Sequence, residues 1–340
     1  MRPTIRDIAA KAQVSVSTVS RVLNGKPDVR SETQKQILDV IEELGFSPSS
    51  VARGLVLKRS NVIGFVVPDI TNPSFPELAR GIVAQAKTYG FSVMFSDTNH
   101  DNKVEKDVVR LMRSKQVDGI ILSFDLANKD ELERLKSERV PVVQIYRKSA
   151  KSTISTIAID NESSGYKAAS YLAGLGHRRI AHISTGMQTQ SGHERWTGYQ
   201  AALRDAGIEF DEDLVVVSDN NAAAGSSAMK KLLNLPVPPT AVFACHDMMA
   251  IGAYEAIREA GLEIPKDISV VGHDNLEISR LVWPRLTTID THKGQLGRAG
   301  VDLLMEEIKA GKALNKEVVF STDLIIRDSA MALEPAEVVL

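Results

Sequence analysis

Between Val14 and Leu23 the chain reads VSVSTVSRVL: four hydroxyl side chains (Ser15, Ser17, Thr18, Ser20) set among valines, with a single arginine, Arg21. Hydroxyls at that density suit caps on helix ends or contacts to phosphate oxygens. An arginine one turn into such a helix can donate two hydrogen bonds to a guanine edge. Elsewhere the candidate chemistry thins out. His177 and His182, in GHRRIAHI, have a metal-like separation, but that segment passes from a turn into a strand, which argues against shared ligation. Cys245 and His246 are neighbours, yet successive side chains on a strand point to opposite faces, which argues against a thiolate–imidazole dyad. Cys245 reads instead as a small buried residue. No metal motif occurs, and no glycine-rich phosphate loop follows the first strand of the body, where a dinucleotide enzyme needs one. No cofactor is expected.

The elements that must position these residues fall into two textures. The 340 residues exceed one ordinary domain. With 43% hydrophobic and 25% charged residues the composition is that of a soluble globular protein. No apolar run approaches the roughly 18 residues that cross a bilayer. MRPTIRDIAA lacks the apolar core of a signal peptide, and the single cysteine suits a reducing compartment, so a cytoplasmic location with no membrane partner is expected. Residues 1–59 hold ten Lys/Arg against six Asp/Glu, whereas the rest of the chain holds 31 against 37. A basic head on an acidic body points to a polyanionic partner for the head.

The head reads as three short helices. Thr4 with Asp7 makes a capping-box start, followed by Ile5, Ile8, Ala9 and Ala12 at helical spacing. Ser15 caps a second helix through about Leu23, with Val19, Val22 and Leu23 facing inward. Ser31 with Gln34 opens a third, carrying Ile37, Leu38, Ile41 and Leu44 on one face and Gly45 just past its end. Two helices joined by a tight turn match a helix-turn-helix unit, whose second helix enters the major groove. From Asn61 onward short apolar runs alternate with helical stretches (NVIGFVV, PELARGIVAQAKTYG, FSVMFS), and after STIAID the rhythm restarts. That is βαβ texture, implying two α/β lobes with parallel sheets and a ligand cleft between them.

The stretch TIRDIAAKAQVSVSTVSRVLNGKPDVRSETQKQILDVIEELGFSPSSVARGLVLKRS is followed by IGFVVPDITNPSF, VDGIILS, LGHRRIAHI, ERWTGYQAAL, PTAVFACHDMMAIGA and ISVVGHDN. Over essentially the full chain, and in family order, these segments closely resemble the LacI/GalR family of bacterial transcription regulators. The resemblance implies an all-α helix-turn-helix head (1–48), a hinge helix and linker (49–60) and a body of two periplasmic-binding-protein-like lobes. The first lobe is 61–160 plus 291–320, the second 161–290 plus 321–330, and 331–340 form a tail without leucine heptads. It implies a homodimer on near-palindromic, double-stranded operator DNA, with a sugar, sugar acid or sugar phosphate effector between the lobes. By position, Val16, Ser17 and Arg21 are base readers. Thr4, Ser15, Thr18, Ser20 and Asn24 are backbone contacts or caps. Ser50, Ala52, Arg53 and Leu55 enter the minor groove, with Leu55 as the wedge. Gly54 replaces a serine common in relatives and lowers helix propensity by roughly 1 kcal/mol relative to alanine.

For the cleft, the resemblance implies that Arg195 (in RWTGY) and Asp274 (in GHDN) grip the effector, and that Asp247 and Phe75 face it. Asn220 and Lys293 stand where relatives often carry aromatics. Lys293, with Arg147 and His292 nearby, either makes the wall basic and favours an acidic ligand, or points to solvent at a helix start. A transport receptor would need a signal peptide and no head. A sugar-metabolising enzyme would need a general base or phosphate loop. The regulator accounts for head, hinge and body together.

Overall fold

The computed structural model describes residues 3–23, 28–46, 59–123, 129–146, 154–187 and 189–333. Asn24, Arg147 and the hinge residues Ser50, Ala52, Arg53 and Leu55 lie outside the described residues. Two compact units emerge, Met1–Asn61 and Val62–Leu340. In the first, α1 (Ile5–Lys11), α2 (Val16–Leu23) and α3 (Ser31–Glu43) surround a small core of Ile8, Ala9, Ala12, Val19, Val22, Ile37 and Val40. The Thr4 amide and hydroxyl both donate to Asp7 Oδ2 at 2.7 Å, opening α1 and holding the Asp7 carboxyl below its usual range. Gln13, in a left-handed conformation (φ 53°), turns the chain, and Ser15 Oγ accepts the Thr18 amide at 3.1 Å to start α2. Two expectations for α3 are corrected. Its N-cap is Arg30, with no side-chain cap, so the Ser31–Gln34 box does not form. Leu38 is 48% exposed and Val40 is buried in its place. Positions 37, 40, 41 and 44 follow the helical period, and 38 lies about 100° off that face.

The second unit runs through β1 (Val62–Val67), α4 (Ser74–Thr88), β2 (Ser92–Asp97), α5 (Asn102–Ser114), β3 (Gly119–Leu122), α6 (Lys129–Ser137), β4 (Val142–Ile145) and β5 (Ser155–Ile159). It crosses through Asp160 into α7 (Asn161–Gly174), β6 (Ile180–Ser184), α8 (Gln190–Asp205), β7 (Val215–Val217), α9 (Ala222–Leu233), β8 (Ala241–Ala244), α10 (Asp247–Glu259), β9 (Ser269–Asp274) and β10 (Thr287–Asp290). Thr291 and His292 cross back to α11 (Lys293–Ala310) and β11 (Glu317–Phe320). Ser321 and Thr322 then lead to β12 (Asp323–Ile325).

The strands form two six-stranded sheets, β11-β5-β4-β3-β1-β2 and β12-β10-β9-β8-β6-β7. All their pairings are parallel except that of β10 with β12. The inner strands β3, β4, β5, β6, β8 and β9 are buried at every residue, as sheets covered by helices on both faces require. Among the described residues no helix is long and apolar enough to cross a membrane.

Three helix pairs, α4 with α11, α7 with α8 and α9 with α10, pack backbone to backbone through glycines. In the α7–α8 pair, a Cβ at Gly165 would overlap the Arg195 carbonyl, and one at Gly198 would overlap the carbonyl of Glu162. The main chain that carries Arg195 is therefore pressed onto α7. Gly198→Ala is expected to destabilise the protein by about 1–3 kcal/mol through overpacking. Gly174→Ala, with open space around the new methyl, should be neutral or stabilising. Urea midpoints at constant slope measure both, and an unchanged midpoint for Gly198→Ala would contradict the close-packing account.

Candidate functional site

A cavity of about 150 Å³ opens between the two lobes of the second unit. From the first lobe it is lined by Asn72, Ser74, Phe75, Ser123, Tyr146 and Ile159, and from the second by Asn161, Ser191, Arg195, His246 and Asp274. These residues sit at the carboxyl ends of parallel strands or in the loops and first two turns of the helices that follow, which is where open α/β sheets bind ligands.

Arg195 is buried, and its partners fix it. Nε donates to Asn161 Oδ1 at 3.0 Å and Nη1 to the Cys245 carbonyl at 2.8 Å. Nη1 also lies 3.2 Å from His246 Nε2. A guanidinium only donates, so that imidazole nitrogen accepts and the His246 proton sits on Nδ1. From there it donates to Asp274 Oδ2 at 2.8 Å. His273 Nδ1 serves Asp274 Oδ1 at 3.1 Å. Burial would push the Asp274 carboxyl up, but the two imidazoles, His246 foremost, hold it well below the usual carboxylate range. Burial in turn keeps His246 neutral and lowers His273 to about 3. His246, His273 and Asp274 place donor atoms within 4.8 Å of one another, close enough for a metal ion. The Arg195 guanidinium against His246 disfavours a cation there and fits a hydrogen-bonded carboxylate better.

Tyr146 adds a second kind of wall. It leaves β4 in a left-handed conformation (φ 72°), and its hydroxyl is buried with no hydrogen-bond partner among the described residues. Burial, then the nearby Asp274 and Glu77 carboxylates, push its phenol well up, so it stays protonated. An unmet buried hydroxyl costs about 1–3 kcal/mol.

Phe75, from the first lobe, and Arg195 and Asp274, from the second, thus all line the cavity, whereas Asp247 and Lys293 do not reach it. Asp247, fully buried at the start of α10, accepts the Leu276 amide at 2.7 Å and shares a 2.5 Å hydrogen bond with Thr288. Lys293 neither points to solvent nor lines the cavity. It is 1% exposed, its ammonium bonds the Asp274 carbonyl, and it pairs with Glu77 at 3.3 Å. It is a strut from the first lobe to the second. His292 is engaged by Asp323 at 2.9 Å, and Asn220 is exposed away from the cavity. His177 and His182 are apart in role: the first bonds Thr240, and the second stacks between Tyr199 and Phe243. Sequence reasoning missed Asn161, His246 and Tyr146. Only His246 carried a signal, as a polar residue directly after a buried strand.

In the head, Val16 (42% exposed), Ser17 and Arg21 face outward from α2, while Val19 and Val22 are buried. Ser15 Oγ lies 2.7 Å from Ser17 Oγ and 2.8 Å from Thr18 Oγ1. Arg21 pairs with Asp28 at 3.3 Å, both more than half exposed. Ser20 is half-buried on the same helix.

The Asp247 environment gives a pH test. Burial foremost, and then the Asp274 charge, push its carboxyl up to about 8. The folded state then holds a proton that the unfolded chain releases near pH 4, so this group's contribution is complete below about pH 4 and is lost as pH rises through 8. Asp247→Asn is expected to remove up to about 1.4 kcal/mol per pH unit of that decline between pH 5 and 8. Urea titrations at pH 5, 6, 7 and 8 check it. Equal slopes in both proteins would mean that Asp247 is ionised.

Comparisons with known proteins agree with this architecture. Residues 4–49 match the family model described as bacterial regulatory proteins, lacI family. Residues 60–328 match periplasmic binding proteins and sugar binding domain of LacI family. Catabolite control protein A of Priestia megaterium is 35% identical over 95% of this chain and 96% of its own. The lac repressor dimer bound to operator and an anti-inducer superposes with a TM-score of 0.87 at 28% identity, over 98% of this chain and all of that one. A LacI family transcriptional regulator from Enterococcus faecium with bound ribose superposes with a TM-score of 0.73 at 29% identity, over 80% of this chain and all of that one. With both parts of the chain matched in order and the relatives aligned end to end, this protein belongs to the LacI family of bacterial transcription regulators.

Proposed function

We propose that the protein is a repressor of carbohydrate-related genes that binds a near-palindromic operator as a homodimer and responds to a small sugar-class effector held between its lobes. One observation carries this reading. A helix with outward Val16, Ser17 and Arg21 is joined, in one chain, to a body whose cavity takes groups from both lobes. Likeness to a repressor dimer seen on operator DNA and to a ribose-bound regulator supports the partners and the effector class.

In the head, Arg21 exchanges its exposed partner Asp28 for a guanine edge, and Val16 and Ser17 approach neighbouring bases. Ser15, Thr18 and Thr4 hold the helix starts and face the backbone. In the body, an effector contacting Arg195 and Asp274 on one side and Phe75 on the other joins the lobes and favours their closure. Closure shifts the first lobes of two protomers and with them residues 49–60, which lead to each head. A ligand drives that shift only by its difference in affinity between the open and closed forms. Ile278, Leu281 and Trp283, exposed together after β9, offer apolar surface for a second copy.

Two substitutions separate the ends of this mechanism. Arg195→Ala is expected to abolish the effector's influence on operator affinity and leave effector-free DNA binding near wild type, read by fluorescence anisotropy at fixed salt. A full response at unchanged effector concentration would disprove the cleft assignment. Arg21→Ala is expected to weaken operator binding by about 1–3 kcal/mol and to relax preference at one base pair per half-site. A uniform loss over all sequences would make Arg21 a phosphate contact instead.

A further inference from the structure

Two unfavourable features coincide at Tyr146. A left-handed backbone is uncommon for a residue with a bulky side chain, and a buried hydroxyl without a partner is destabilising. The Tyr146 amide still donates to the Ile157 carbonyl at 2.8 Å, so the sheet continues past the kink while the ring is turned onto the cavity wall. Strain of this kind persists where the surroundings enforce it, and it gathers at ligand clamps.

We propose that Tyr146 sets the class of effector: its hydroxyl donates to an oxygen of an uncharged, single-ring sugar seated between it and the Arg195–Asp274 pair. This deepens the cleft reading above and rests on it. Charge argues for a neutral ligand. Arg195 and Asp274 cancel on the wall, and the Lys293 ammonium, which would otherwise favour an acid, is engaged by Glu77 and the Asp274 carbonyl. A carboxylate or phosphate bound at Tyr146 would lie within the field of Asp274 and Glu77, with Arg195 as its one opposing charge on the wall among the described residues. The rest of the polar wall, including Ser74 and Ser191, is neutral and suits hydroxyl groups. Size argues for one ring. The cavity measures about 150 Å³, and a dry cavity of about that volume holds one benzene ring.

The test is calorimetric titration of the full chain with aldopentoses, aldohexoses and ketohexoses, their uronic acids, their monophosphates and cellobiose. A neutral monosaccharide should bind best. Tyr146→Phe should weaken it at least tenfold, while the ligand-free unfolding midpoint stays at or above that of wild type, because an unmet hydroxyl has been removed. A structural role alone would lower that midpoint instead. The proposal is overturned if an acid, a phosphate or the disaccharide binds best, if no neutral monosaccharide binds, or if Tyr146→Phe keeps wild-type affinity. The cleft reading survives those outcomes so long as Arg195→Ala abolishes binding of whichever compound binds wild type. Undiminished binding to Arg195→Ala would sink the cleft reading itself.

Discussion

A buried guanidinium stays in place only if its donors are met, and the second lobe is organised around meeting those of Arg195. Its partners come from the segments after three different strands: Asn161 after β5, the Cys245 carbonyl and His246 after β8, and through His246 the carboxylate of Asp274 at the end of β9. Each link fixes the next. The guanidinium sets the tautomer of His246, and that tautomer directs a proton at Asp274. Reach matters as well. Because Gly165 and Gly198 let α7 and α8 touch backbone to backbone, the Arg195 main chain lies close enough for its side chain to bridge to the strand ends.

The two lobes are tied by the same economy of polar groups. Three crossings of one or two residues join them, and Lys293 adds a fourth tie across the cleft floor, from α11 to the carbonyl of Asp274. Asp274 is thus held by its side chain within the second lobe and by its backbone to the first. Its own backbone is left-handed (φ 115°), an unusual conformation for a residue other than glycine. Any change in lobe separation must be felt at this residue, where the cavity-facing carboxylate and the interlobe strut meet. The cavity lining and the tie between the lobes therefore share one residue.

Much of this was legible in the residues, and what was not has a physical cause. The alternation of apolar runs and amphipathic stretches reports burial and period, so both sheets and their helices could be read. Phe75, Arg195 and Asp274 were placed by the segments around them. Asp247 reads from the sequence as facing the ligand, and Lys293 as facing either ligand or solvent, because a charge in a sequence looks the same whether it is free or already engaged. Only the fold shows that Thr288 and the Leu276 amide occupy the first and that Glu77 and a carbonyl occupy the second. Tyr146 was invisible for another reason. It follows an ordinary apolar strand, PVVQIY, and nothing in residue type announces a left-handed tyrosine. In the head, Leu38 and Val40 were interchanged because a pattern of closely spaced apolar residues leaves the helical phase open by one step.

The head and the body also use the same groups at opposite strengths. In the head, the Arg21–Asp28 pair and the hydroxyl cluster of Ser15, Ser17 and Thr18 are exposed, where such pairs contribute about 0–1 kcal/mol. Partners held that weakly leave the side chains free to exchange them at little cost. In the body, the partners of Arg195 and Asp274 are enclosed, and removing one would leave a buried charge unmet at several times that cost. An incoming ligand must therefore add to this network rather than replace it. That difference divides the labour: the head can exchange its exposed partners without rebuilding itself, while the cavity presents a fixed template of groups that are already engaged.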